Sequence, residues 1–207
     1  MKWAVCCLLL FCFACADEPS VQQPVKKDTN QGPVLPVRKE TANPYSAVDV
    51  SPMDITYFPV DYPKLKQSVT NKESLKARVI YSRPQKQGRK IFGALVKYGE
   101  PWRLGANEAT EIEFFLPATI QNKRVNKGRY ILYCIPQEKE WTVIINSGTD
   151  RWGLHPDPSK DIQRFTIPVQ SPPAVIEYFT ISFVQTQTGA ELLMAWDDAV
   201  ARLPIQF

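Results

Sequence analysis

The sequence predicts an all-β protein: a single antiparallel β-sandwich or jelly-roll-like domain following a disordered N-terminal tether. Three observations predict it. Apolar and polar residues alternate through a series of short segments, the period-two signature of half-buried strands. Eighteen prolines against nine glycines, with few long runs of helix formers, disfavour a helical bundle. A chain of 207 residues, 44% hydrophobic, can bury one good core and has little left for a second.

The start of the chain reads as an address. In MKWAVCCLLLFCFACADEP, Lys2 precedes an apolar run from Ala4 to Ala14 that is too short to anchor as a spanning helix, so a cleaved signal peptide over residues 1–14 is expected. Ala14 places a small residue directly before Cys15, the arrangement a lipoprotein signal peptidase requires of an acylated cysteine, whereas Cys12 follows the bulky Phe11. An ordinary secretory signal cut near Ala16 is the alternative. Lipidation at Cys15 would attach the protein to a membrane, each buried methylene contributing about 0.8 kcal/mol. Asp17 and Glu18 resemble signals that send lipoproteins to the outer membrane. Residues 15–51 then carry prolines at 19, 24, 33, 36 and 44, mixed charge and almost no aromatic residues. Such a composition cannot bury enough apolar surface to order itself, so a tether is expected.

From residue 52 to 207 the strand pattern takes over. In LKARVIYSR, Ala77, Val79 and Tyr81 share a face; in TEIEFFLP, Ile112, Phe114 and Leu116 do so, with Glu111 and Glu113 opposite. GRYILYCIP and WTVIINS read as a hairpin across QEKE, with Trp141, Val143 and Ile145 on one face. QRFTIPV, VIEYFTISFV, ELLMAW and ARLPIQF follow, for eight to ten short strands in all, and DDAVA reads as a short helical turn. No segment has the length and period of a crossover helix, which points to antiparallel pairing.

Several chemistries lack their residues. His155 is the one histidine, which excludes histidine-based metal cages, and no metal or cofactor is expected. There is no GxSxG elbow, no phosphate-cradling glycine loop and no GxGxxG. Four of the five cysteines lie in the signal or at its end, leaving Cys134 without an intramolecular partner inside the apolar run RYILYCIP, where a buried inert thiol is expected. Glu108, Glu111 and Glu113 keep a carboxylate-dependent hydrolase in view as an outside reading, although Glu111 and Glu113 share the solvent face of one strand.

The net charge of +4 is unevenly spread. Between Lys76 and Arg103 stand eight basic residues and one acid, Glu100, a local +7. Such a run is either a solvated face or the mark of an anionic partner; the exported address argues against nucleic acid. Within this region YGEPWRLGANEAT, Tyr98 to Thr110, combines turn-forming Gly99-Glu100-Pro101 and Gly105 with Trp102, Arg103, Asn107 and Glu108. Two readings use the same atoms. In one the stretch is a structural clasp, with Arg103 paired to Glu108, Asn107 bonding nearby backbone and Trp102 covering an end of the core. In the other, Arg83, Arg89 and Arg103 converge on a carboxylate, phosphate or sugar acid while Trp102 offers a stacking face.

YSRPQKQGRKIFGALVKYGEPWRLGANEAT, followed by NKGRYILYCIPQEKEWTVIIN and RWG, resembles the domain-of-unknown-function family 2911. The positions that carry the likeness are Ser82, Arg83, Pro84, Gly88, Arg89, Phe92, Gly93, Tyr98, Trp102, Arg103, Gly105, Asn107, Glu108 and Thr110; Tyr133 and Cys134 depart from the usual pattern. The resemblance implies a compact β-rich domain on exported proteins of Gram-negative bacteria and implies no reaction. The resulting expectation is a lipoprotein of the Gram-negative cell envelope, at the outer membrane, whose domain binds a small anionic or carbohydrate ligand through Arg83, Arg89, Trp102, Arg103, Asn107 and Glu108. The alternative is a non-catalytic interaction or scaffold module of the envelope. If Cys15 is acylated, Cys15→Ala moves the protein from the membrane pellet to the soluble fraction and abolishes labelling by a fatty-acid analogue; unchanged pelleting would remove the lipid anchor.

Overall fold

The period-two segments become strands, and their register shows why each apolar face points the same way. The computed structural model describes residues 49–70 and 72–207; the signal peptide, Cys15 and nearly all of the tether lie outside the described residues. The strands are β1 (Met53–Phe58), β2 (Ala77–Ser82), β3 (Thr110–Phe114), β4 (Ala118–Ile120), β5 (Lys123–Val125) and β6 (Gly128–Pro136). They continue with β7 (Glu140–Asn146), β8 (Asp161–Gln170), β9 (Ile176–Gln185), β10 (Gly189–Asp197) and β11 (Ala199–Gln206). A single-turn helix, α1 (Tyr62–Leu65), lies between β1 and β2, and a 3-10 turn at Pro158–Lys160 leads into β8. Among the described residues no helix is long and apolar enough to cross a membrane.

All pairings are antiparallel, in the order β1-β2-β3-β6-β7-β8-β11-β10-β9, with β4 attached to β11 and β5 to β4. This one sheet curls until it is nearly a barrel. Its ends meet through side chains and a short backbone seam. The ring of Phe58 on β1 lies 5.9 Å from that of Phe183 on β9. Beyond β2 the chain runs beside β9, where Pro84 O accepts from Phe179 N at 3.0 Å and Glu177 O from Lys86 N at 2.7 Å.

The core fills the inside of the curl. Alternate residues of successive strands, among them Val79, Tyr81, Ile112, Phe114, Trp141, Val143, Phe165, Phe179, Leu192 and Leu203, are fully or almost fully buried there. β6 departs from alternation, since Ile131, Leu132, Tyr133 and Cys134 are buried in succession. Its second face joins a small outer cluster with Ala109 and Ile144, which explains why RYILYCIP reads as continuously apolar.

Two expectations change. Leu116 lies beyond the end of β3 and is exposed, because the strand stops at Phe114. DDAVA is no helical turn but the tight reversal between β10 and β11. Asp197 adopts a left-handed φ of 53°, and its buried carboxylate accepts the Ile91 N–H at 3.1 Å and lies 3.2 Å from Lys86 Nζ. A long-range ion pair therefore overrides the local helical preference of that segment.

Cys134 points into the core with no exposed surface, and burial pushes its thiol well above the ordinary range. The native protein is expected to react slowly with a maleimide at neutral pH and rapidly once unfolded by denaturant. Fast labelling of the native state would put this thiol at the surface.

Candidate functional site

The connection from Arg83 to Ala109, between β2 and β3, has little regular structure yet contributes Ile91, Phe92, Val96, Trp102 and Leu104 to the core. β3 pairs with β6 only as far as Leu132, and at the next step along that edge Trp102 takes over. Its N–H donates to Cys134 O at 2.7 Å and its carbonyl accepts the Cys134 N–H at 2.9 Å. Gly105 brings the returning chain onto the end of β2: a Cβ there would lie 2.9 Å from Ser82 O, so no larger residue fits without moving backbone. Thr110 Oγ1 donates to Leu104 O at 2.6 Å, closing the turn.

Trp102 is held in an aromatic cluster. Its ring stacks on Trp196 at 19° with centroids 5.9 Å apart, and meets Phe92, Trp141 and Phe179 edge-on at 5.8, 5.8 and 5.0 Å. With 9% of its surface exposed, it forms the floor of a cleft of about 510 Å³ beside Trp196. Arg89, Lys97 and Arg103 supply the cations of the lining, and Glu100 is its one carboxylate, 3.5 Å from Lys97. Leu95, Leu154 and Val50 form exposed aliphatic parts of the wall.

The structure separates the candidate residues. Arg83 is turned into the seam, donating to Phe179 O, to Asp54 at 3.1 Å and to Thr180 Oγ1 at 3.2 Å, and it does not line the cleft. Arg89 does line it, with Nε on Lys86 O at 2.9 Å and Nη2 on Gln85 O. Arg103 lines it too, fixed by Nη1 on Asn107 O and on Trp152 O at 3.2 Å, with its guanidinium over the Trp152 ring. Partial burial lowers the Arg103 pKa from its ordinary value.

Asn107 stands behind the wall. It adopts a left-handed φ of 59° and donates to Asp49 Oδ2 at 2.6 Å and Ser51 O at 3.3 Å, so it holds the segment that carries Val50 and Ser51 against the opening. The pairing of Arg103 with Glu108 does not form. Glu108 faces a separate shallow depression beside Glu111, Asp150 and Trp152, while carbonyls take its place on Arg103. Among the described residues, no group of three or more His, Cys, Asp or Glu is placed to hold a metal ion.

Sequence reasoning missed Trp196, Leu154 and the Val50-Ser51 wall. Trp196 belongs to an apolar strand like any other, and Val50 and Ser51 fall at the end of a Pro-rich stretch. Leu154 follows the RWG motif directly, the one signal that could have drawn it in.

No curated protein and no solved structure matches this chain. The family model described as Protein of unknown function (DUF2911) matches residues 63–205, from α1 to the penultimate residue of β11 and including the whole Arg83–Ala109 connection. The chain therefore belongs to that family.

Proposed function

We propose that the protein is a lipid-anchored component of the bacterial cell envelope whose domain binds a small anionic ligand in the cleft floored by Trp102 and Trp196. The observation that carries the reading is the state of the arginines. Arg78, Arg83, Arg129, Arg164 and Arg202 each form an ion pair with a carboxylate. Among the described residues Arg89, Arg103, Arg124 and Arg151 form no such pair, and of these four Arg89 and Arg103 line the cleft.

Each of the two is fixed by carbonyls on one side and has donors left on the other: Nη1 of Arg89, and Nε and Nη2 of Arg103, meet no hydrogen-bond acceptor among the described residues. A guanidinium held in place and lacking a counter-charge gains more from an anion than a mobile surface lysine does. The clasp and the binding reading are thus compatible, since different nitrogens of Arg103 serve each. Hydrolysis by paired carboxylates finds less support here, because the cleft lining offers Glu100 alone.

The measurement is thermal denaturation of the full chain with phosphate, acetate, glucuronate and hexanoate. A bound anion at a hundredfold excess over Kd stabilises by about 2.7 kcal/mol, which raises Tm by ~5–10 °C for a domain of this size. Arg89→Gln is expected to lose most of that rise with little change in the free Tm, because the Lys86 and Gln85 carbonyl bonds it gives up are exposed to water. Arg103→Ala is expected to lose the rise and also about 1–3 kcal/mol of stability, since two carbonyls lose their donor. Trp102→Ala costs about 3–5 kcal/mol through the cavity it leaves in the aromatic cluster. A wild-type protein that responds to no anion, or variants that respond as it does, would overturn the reading in favour of an interaction or scaffold module.

A further inference from the structure

We infer that the ligand of this cleft is an amphipathic anion, a hydrocarbon chain ending in a carboxylate or phosphate, rather than a sugar acid or a bare inorganic anion. The inference rests on the anion-binding reading above and specifies what lies on the uncharged side of the ligand.

A sugar ring needs an open aromatic face to stack on, and the cleft provides none. Trp102 and Trp196 are stacked on one another and 9% and 2% exposed, so little of either ring faces the opening. Trp152, at 59% exposure, lies under the Arg103 guanidinium and faces the other depression. Of the neutral amides in the lining, Gln87 Nε2 and Gln85 Oε1 are spent on one another, at 3.1 Å.

What the opening does present is aliphatic. Leu95, Leu154 and Val50 border the same cleft and are 51%, 55% and 59% exposed, while Val96 continues the apolar surface down to the floor at 6%. These come from three separate parts of the chain: the β2–β3 connection, the segment before the 3-10 turn, and the residues ahead of β1. Exposed aliphatic groups gathered around one opening are costly unless something apolar covers them. A flexible chain lying among them would remove all three from water, with its charged end on the free donors of Arg89 or Arg103. The volume of about 510 Å³ suits a small amphiphile.

The test is a chain-length series. Straight-chain carboxylates from acetate to decanoate, below their micelle concentrations, are titrated calorimetrically into the full chain carrying Cys15→Ser, so that no acyl group of its own competes. All variants share this background, so any contribution from the N-terminal apolar run cancels between them. Each methylene buried in the cleft is expected to raise affinity about fourfold, followed by a plateau where the chain outgrows the cleft. Leu95→Asn with Leu154→Asn flattens the slope, whereas Arg89→Gln lowers the whole series in parallel. Affinity that is flat with chain length, or glucuronate binding more tightly than octanoate, removes the amphiphile while leaving the anion reading in place. A slope that survives the double leucine substitution places the chain elsewhere and overturns the inference. Absence of binding by every anion removes both readings.

Discussion

The cleft depends on two hydrogen bonds, those between the backbones of Trp102 and Cys134. They make Trp102 behave as a one-residue strand on the edge of β6 that β3 leaves free, and so set the depth at which its indole enters the core. Once the ring is packed between Trp196, Trp141, Phe92 and Phe179, the next residue has no choice of direction. Arg103 emerges at the surface beside its carbonyl partners, and Gly105 returns the chain to β2. A rigid aromatic interior thereby positions a long polar side chain to within hydrogen-bonding tolerance, which no exposed loop could do by itself.

A second tie acts on the other half of the same connection. Lys86 and Asp197 form an ion pair with side chains 17% and 8% exposed, and the spare donor and acceptor of that pair hold Arg89 O at 2.6 Å and Ile91 N at 3.1 Å. Pairs so well shielded are costly unless their remaining hydrogen bonds are met, and here they are. The result is a division of labour among like residues. Lys86 and Arg83 are spent on joining the connection to β10 and β9, which leaves Arg89 and Arg103 to face the cleft.

That division could not be read in the sequence. Nothing in the residues flanking Arg83, Arg89 and Arg103 separates their roles, and which one closes the seam is decided by where β9 arrives from far downstream. The strands β2, β3, β8, β9 and β11 were legible because each alternates over several residues, and β6, β7 and β10 because they are unbroken apolar runs between polar turns. β4 and β5, at three residues each, are too short for any period to show, and β1 follows a Pro-rich stretch that masks its start. The turn chemistry of Tyr98 to Thr110 announced a structured loop, yet its clasp uses carbonyls of Asn107 and Trp152 in place of Glu108, and carbonyls carry no side-chain signature. Trp196 reaches the cleft through the curl of the sheet, and Leu154 and Val50 through segments outside any strand.

The attachment of Asp49 and Ser51 to Asn107 has a mechanical side. Any pull arriving along the chain from its N-terminal end meets those two side-chain contacts before it meets a strand ladder, because β1 begins only at Met53. They amount to a latch rather than a seam: two bonds from one amide stand against a β1 matched to β2 over its whole length from Met53 to Phe58. Tension on Asp49 would therefore strip Val50 and Ser51 from the cleft wall while leaving the sheet whole, widening the opening before the domain unfolds.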